Sequence, residues 1–362
     1  MSLLNSMLRL VGLKSQKSQL RKRPGRPIHV ETLEPRQLLT VTYHGGVVIP
    51  NVHIQNVYFG SDWLSGNSTG NRLYNQTGQL EGFSKYIVGS SYMDMLNSAG
   101  YGVGRGTFST GWIAGYNYNK NVYLNDTTIR AQLQQQILDR NSGVLGGSDP
   151  NTLYMIYIEP GVAVKLWTYT SVTSFLGYHG AFAGKSFGGS NIDIHYAVMA
   201  YPGSPNVTAQ SQGFNNNFDQ LTKVASHELA EAVTDPNVNY KSLTWYDDQK
   251  NGEIGDLANG YKIRLNGYCV QPEVAKNGAL IYPTGYASYK FTGGTSTGFS
   301  TINTSSVIPP TPVNSTIVVS TSTPDTDKSL VTSFTTPVKK NASPAGQFAF
   351  DPTTGSFTIS AA

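Results

Sequence analysis

Asn217-Phe-Asp-Gln-Leu-Thr-Lys-Val-Ala-Ser-His-Glu-Leu-Ala-Glu-Ala-Val-Thr-Asp235 is the best helix signal in the 362-residue chain. Phe218, Leu221, Ala225, Leu229 and Ala232 recur at helical spacing and make one apolar stripe. Pro236 cannot supply the next helical donor, so it ends the segment. His227, Glu231 and Asp235 stand at i, i+4 and i+8, one turn above another, with Glu228 next around the barrel. The pattern predicts a helix over 217–235 that turns one face to a core and presents a polar site on the other.

The acids at the end of this helix are the informative feature. Each carboxylate in a last turn faces the negative end of the helix dipole at a cost of about 0.3–1 kcal/mol, and like charges one turn apart add to it. A divalent cation on that face reverses the sign of both effects. His-Glu-x-x-His on a helix is a zinc-peptidase pattern, in which two imidazoles hold metal and the Glu activates water. Here Glu231 stands where the second His would be, and a carboxylate ligates zinc at about 2.0–2.2 Å. A third ligand has to come from downstream, where Trp245-Tyr-Asp-Asp-Gln-Lys-Asn-Gly-Glu-Ile-Gly-Asp256 offers Glu253 or Asp256. The expected metal ligands are thus His227, Glu231, Glu253 and Asp256, with zinc as the ion and Glu228 as the catalytic base.

Two other readings of the same residues stay open. Asp247, Gln249, Asn251 and Gly252 match the early positions of a calcium-binding loop and Ile254 suits its eighth, but Ala258 stands where its last acidic ligand belongs. The acids also suit a plain solvated turn. His179, in Gly-Tyr-His-Gly, could approach the site as a further ligand or proton donor. Cys269 has no paired base nearby and reads as a small buried hydrophobe. Trp63, Trp112, Trp167 and Trp245, with 22 tyrosines, allow a carbohydrate platform or an aromatic core.

Around this centre the chain divides by composition into four parts. Residues 1–40 hold eight of the 26 Lys and Arg but only two of the 22 Asp and Glu. The remainder carries 18 basic and 20 acidic residues, which argues against nucleic acid as a partner. Residues 41–290 read as a globular body. Strands are expected in Val47–Tyr58 and Leu153–Ile158, and an edge strand in Ile192–Met199. Helices are expected over Leu80–Leu96, Thr127–Leu138 and the motif segment. Residues 291–345 are rich in Ser, Thr, Pro and Gly and read as a linker or tail. Residues 346–362 suit a terminal hairpin. Only 13% of residues are charged, about half the usual share. The one cysteine precludes an intrachain disulfide, and no run approaches the roughly 18 apolar residues of a membrane span.

Leu33-Glu-Pro-Arg-Gln-Leu-Leu39 resembles an element at the start of many predicted exported proteins of planctomycete bacteria. Residues 41–290 resemble the Exordium, or phosphate-induced, family of plant cell-wall proteins and their bacterial relatives. The resemblance rests on Tyr43-His-Gly-Gly46, Gly177-Tyr-His-Gly180, Ser226-His-Glu-Leu-Ala-Glu-Ala-Val-Thr-Asp-Pro236, Trp245-Tyr246 and Gly252-Glu-Ile-Gly-Asp-Leu257. It implies an extracellular or cell-surface protein associated with a wall or matrix, without supplying a reaction. Ala258 stands where a Cys often follows Asp-Leu in the plant members, so disulfide bracing of their type is absent.

The expectation is therefore an α+β fold, a zincin-like mixed sheet with a long motif helix, flanked by a disordered basic N-terminus and a Ser/Thr/Pro-rich C-terminal tail. Its function would be a secreted metallopeptidase-like hydrolase acting on an extended peptide or cell-surface polymer. The alternative is a non-catalytic surface or cell-wall protein with a structural metal or polar network.

Overall fold

The computed structural model describes residues 40–64, 68–238, 240–292, 346–351 and 356–361. The expected leader over 1–40, apart from Thr40, and the expected tail over 291–345, apart from Phe291 and Thr292, lie outside the described residues. The architecture is mixed α and β. Its main elements run β1 (Asn51–Phe59), α1 (Ser68–Val88), α2 (Ser91–Ser98), β2 (Gly104–Ala114), α3 (Asp126–Leu138), β3 (Thr152–Ile158), β4 (Gly177–Lys185), β5 (Asn191–Met199) and α4 (Asn217–Thr234). Strands β6 (Ile263–Leu265) and β7 (Tyr268–Val270) follow in a small sheet completed by Tyr286–Ser288. Further on, Gly346–Asp351 pairs antiparallel with Ser356–Ala361.

The main sheet has the order β2-β1-β3-β5-β4. Its first three pairings are parallel, and β4 runs antiparallel to β5 at the edge. Parallel strands covered on both faces read as unbroken apolar runs. Accordingly, all seven residues of β3 are buried. Leu153, Met155 and Tyr157 turn to the face covered by α1, α2 and α4; Tyr154, Ile156 and Ile158 turn to the face covered by α3.

Two sequence expectations change. The segment expected as one helix over Leu80–Leu96 belongs to two, because the chain turns at Gly89 and Ser90 caps α2 by accepting a hydrogen bond from the Tyr92 amide (3.1 Å). Ile192–Met199 is not an edge strand: β5 lies between β3 and β4, and its last six residues are buried. The edge is β4, whose Gly-Tyr-His-Gly-Ala-Phe-Ala-Gly-Lys sequence hides its strand character behind three glycines. One of them, Gly184, leaves no room for a Cβ against the Ile194 side chain. Among the described residues no helix is long and apolar enough to cross a membrane.

Helix α4 is tied at its start by a buried ion pair. Asn216 accepts from the Asp219 amide (2.8 Å) as the N-cap. The Asp219 carboxylate takes both terminal nitrogens of Arg264 from β6 (2.5 and 2.6 Å). Removing one partner of such a pair strands the other charge without water. Arg264→Met is therefore expected to lower the free energy of unfolding in urea by about 3–5 kcal/mol, with pairing to Asp219→Leu recovering part of the loss.

Candidate metal centre

Every side chain of α4 from Phe218 to Thr234 is buried, so the polar stripe faces protein rather than solvent. On that stripe, His227 Nε2 and Glu231 Oε2 lie 3.2 Å apart. Asp235 is not on the helix proper. It is the C-cap, with its amide bonded to the Glu231 carbonyl (2.7 Å) and its carboxylate accepting from the Thr244 amide (3.0 Å).

The edge strand supplies the opposite wall. A Cβ at Gly177 would meet Val224 at 2.5 Å and Glu228 Oε1 at 2.9 Å, so glycine lets the helix lie close. Two residues on, His179 Nδ1 sits 3.5 Å from both Glu228 Oε2 and Glu231 Oε2. Its Nε2 lies 3.2 Å from the Asp235 carbonyl and 3.5 Å from Glu253 Oε1.

The third wall is the segment after Trp245. Asp247 and Gly252 exchange both backbone hydrogen bonds, and Asn251 takes φ +52° to close the turn between them. Asp247 Oδ1 accepts from the Gln249 and Lys250 amides, so this carboxylate caps its own turn, and Gln249 and Asn251 point to solvent. That is a tight hairpin turn rather than a calcium-binding loop. Beyond it, Gly255 packs against the motif helix: a Cβ there would come 2.8 Å from both Glu231 Oε1 and His227 Nδ1. The Asp256 amide donates to Glu231 Oε1 (3.0 Å) and holds that carboxylate in place.

A further set of buried groups supports His227. The Gln271 amide nitrogen lies 2.9 Å from His227 Nδ1 and donates to the Gly255 carbonyl (2.7 Å). Tyr92 donates to Glu273 (2.6 Å), and the Gln271 backbone donates to Ser226 Oγ (2.9 Å). Sequence reading missed Gln271 and Glu273. They stand in a Gln-Pro-Glu stretch with no periodicity and reach the site only through the fold.

The sequence-expected residues are thus brought to one cluster but not to one point. Glu253 lies beside His179, not His227. Asp256 Oδ1 is 4.0 Å from His227 Nε2, and its side chain is 54% exposed, which puts it at the mouth. Among the described residues, potential ligand atoms within 4.8 Å of one another form two groups, His227–Glu228–Glu231 and His179–Glu231–Glu253. The other described histidines belong to neither group. His44 faces Asp248 (3.4 Å), and His195 is buried on β5. Cys269 is fully buried, which drives its thiol pKa up. Trp63 is core, Trp112 donates to Gln136, Trp167 is exposed, and Trp245 packs on Tyr43, Tyr101 and Lys276.

Negative charge exceeds what the imidazoles neutralise. Burial alone would lower the His227 pKa, but Glu231 and Glu228 outweigh it and raise it to about 9. His179 rises well above its ordinary value because Glu253, Glu228 and Glu231 likewise overcome its burial. Burial would raise Glu231, but the two imidazoles hold it below the usual carboxylate range. Burial pushes Glu253 well up, Asp235 to about 6 and Glu273 to about 8. Asp235 Oδ2 and Glu253 Oε1 are buried with no hydrogen-bond donor. Ligands around a tetrahedral zinc stand roughly 3.4 Å apart, close to the 3.2 and 3.5 Å separations at Glu231 Oε2. His227 Nε2 and Glu231 Oε2 at this separation fit a divalent cation, and the two orphaned carboxylate oxygens lie on the His179 side of the same cluster. Comparison of the chain with protein-family models, curated proteins and solved structures finds no match.

Without metal, the raised His227 stabilises the fold fully below its ordinary pKa of 6.5, and that contribution is lost as pH rises through about 9. Glu273, raised from 4.5 to about 8, acts with the same sign, its contribution fading between those values. Chelator-treated protein should lose on the order of 2 kcal/mol of unfolding free energy between pH 6.5 and 9. His227→Gln should flatten the upper part of that slope. Excess zinc should reverse it, because binding expels the imidazole protons.

Proposed function

We propose that the chain is an exported, zincin-like hydrolase that holds zinc through His227 and Glu231 and cleaves amide bonds in an extended peptide. The observation that carries this reading is Glu231 Oε2 poised between two imidazoles, with the half-exposed Asp256 beside them. A motif helix lying across a sheet whose edge strand alone is antiparallel supports the zincin-like architecture. The Leu33–Leu39 element and the Exordium-like segments support export.

When bound, zinc supplies a Lewis acid that polarises a carbonyl and makes water a stronger acid. Glu228, buried between β4 and α4, accepts the proton of the attacking water and returns it to the leaving amine. The Asp256 amide orients Glu231, so that ligand does not have to be reorganised. The free edge of β4 offers main-chain donors and acceptors to an extended peptide by strand addition. The Gln134 side chain, which bonds both the amide and carbonyl of Lys185, marks where that edge ends.

A second reading is favoured by the pairing itself. His227 with Glu231, and His179 with Glu228 and Glu231, are mutually compensating charges that could tie helix, edge strand and loop together in a non-catalytic surface or cell-wall protein. Glu228→Gln separates the two. The hydrolase reading expects metal retention with peptide cleavage reduced roughly 10²–10⁴-fold, and zinc lost in His227→Ala. Wild-type protein that carries no metal after zinc loading and cleaves no peptide would establish the structural reading instead.

A further inference from the structure

We propose that the pocket takes two divalent cations, the second held by His179, Glu231 and Glu253, with Glu231 shared between them. The inference rests on the metal-binding reading above and extends it from one ion to two. Its first support is the division of the ligand atoms. Each group contains one imidazole, the groups have only Glu231 in common, and among the described residues no such group contains both His179 and His227. Glu231 Oε2 stands between the imidazoles, 3.2 Å from one and 3.5 Å from the other. A carboxylate in that position bridges ions naturally, and paired hydrolytic metals sit about 3.5–4 Å apart.

The second support is independent of those distances. Glu253 faces His179, its side chain only 8% exposed, and its Oε1 receives no hydrogen bond. Asp235, wholly buried, likewise leaves Oδ2 without a donor, while its carbonyl touches the same imidazole. A cation at His227 and Glu231 does nothing for these two oxygens. A divalent ion beside His179 gives Glu253 Oε1 a cationic partner. The donors, one imidazole nitrogen with carboxylate oxygens, suit zinc or manganese.

The test uses the full chain, stripped with chelator and reloaded with Zn²⁺ for elemental analysis, or with Mn²⁺ for electron paramagnetic resonance. Two zinc ions per chain are expected in the wild type and one in Glu253→Gln, with the wild-type manganese spectrum that of a spin-coupled pair. One zinc per chain with an isolated-ion spectrum would overturn the second site and leave the hydrolase reading intact. Two zincs retained in Glu253→Gln, with uncoupled manganese, would overturn it too. No bound metal would end both. Should Glu253→Gln fail to fold, the wild-type spectrum decides alone.

Discussion

Glu231 is the residue on which the centre turns, and its position is possible only because α4 is buried on every side. A carboxylate near the end of a helix opposes the dipole, and burial removes the water that would otherwise compensate. The fold answers with two imidazoles on one carboxylate oxygen and a backbone amide on the other. Each of these partners comes from a different segment: the helix itself, the edge strand and the loop after Trp245. Helix, sheet and loop are therefore held in register by the same charge that makes the pocket suited to a cation.

The packing that allows this is set by small residues. Gly177 lets β4 approach the helix at Val224 and Glu228, and Gly255 lets the loop approach at His227 and Glu231. Any side chain at either point would push a wall of the pocket outward. The ion pair of Asp219 with Arg264 fixes the far end of the helix against β6, and the Asp235 cap fixes the near end. With both ends and both sides constrained, the polar groups are held in place before any ligand arrives, which is what efficient metal binding and catalysis ask of a site.

Much of the centre was legible from spacing alone. His227 and Glu231 at i and i+4 have to share a face in any α-helix, and that relation needs no tertiary information. The seven-residue apolar run of β3 reads as a central strand for a similarly local reason, since a strand covered on both faces needs apolar residues at every position. Strands β2 and β4 were not legible. Their glycines, of which Gly106, Gly111, Gly177 and Gly184 stand where another backbone or side chain comes too close for a Cβ, break the alternation by which a strand is recognised. Without β4, spacing places the edge at β5 and gives His179 no element of its own.

The sequence by itself determined that a helix would carry His227, Glu228 and Glu231 together, that acids would follow within thirty residues, and that Pro236 would end the helix. These are consequences of helical geometry and proline chemistry, which act over a few residues. Only the tertiary structure decided that Glu253 faces His179 while Asp256 stands at the mouth, that Gln271 backs His227, and that the 247–252 loop closes on itself as a hairpin turn. Those relations join residues far apart in the chain, or depend on which way a side chain leaves a turn. They are settled by packing and by the need to compensate buried charge, neither of which spacing records.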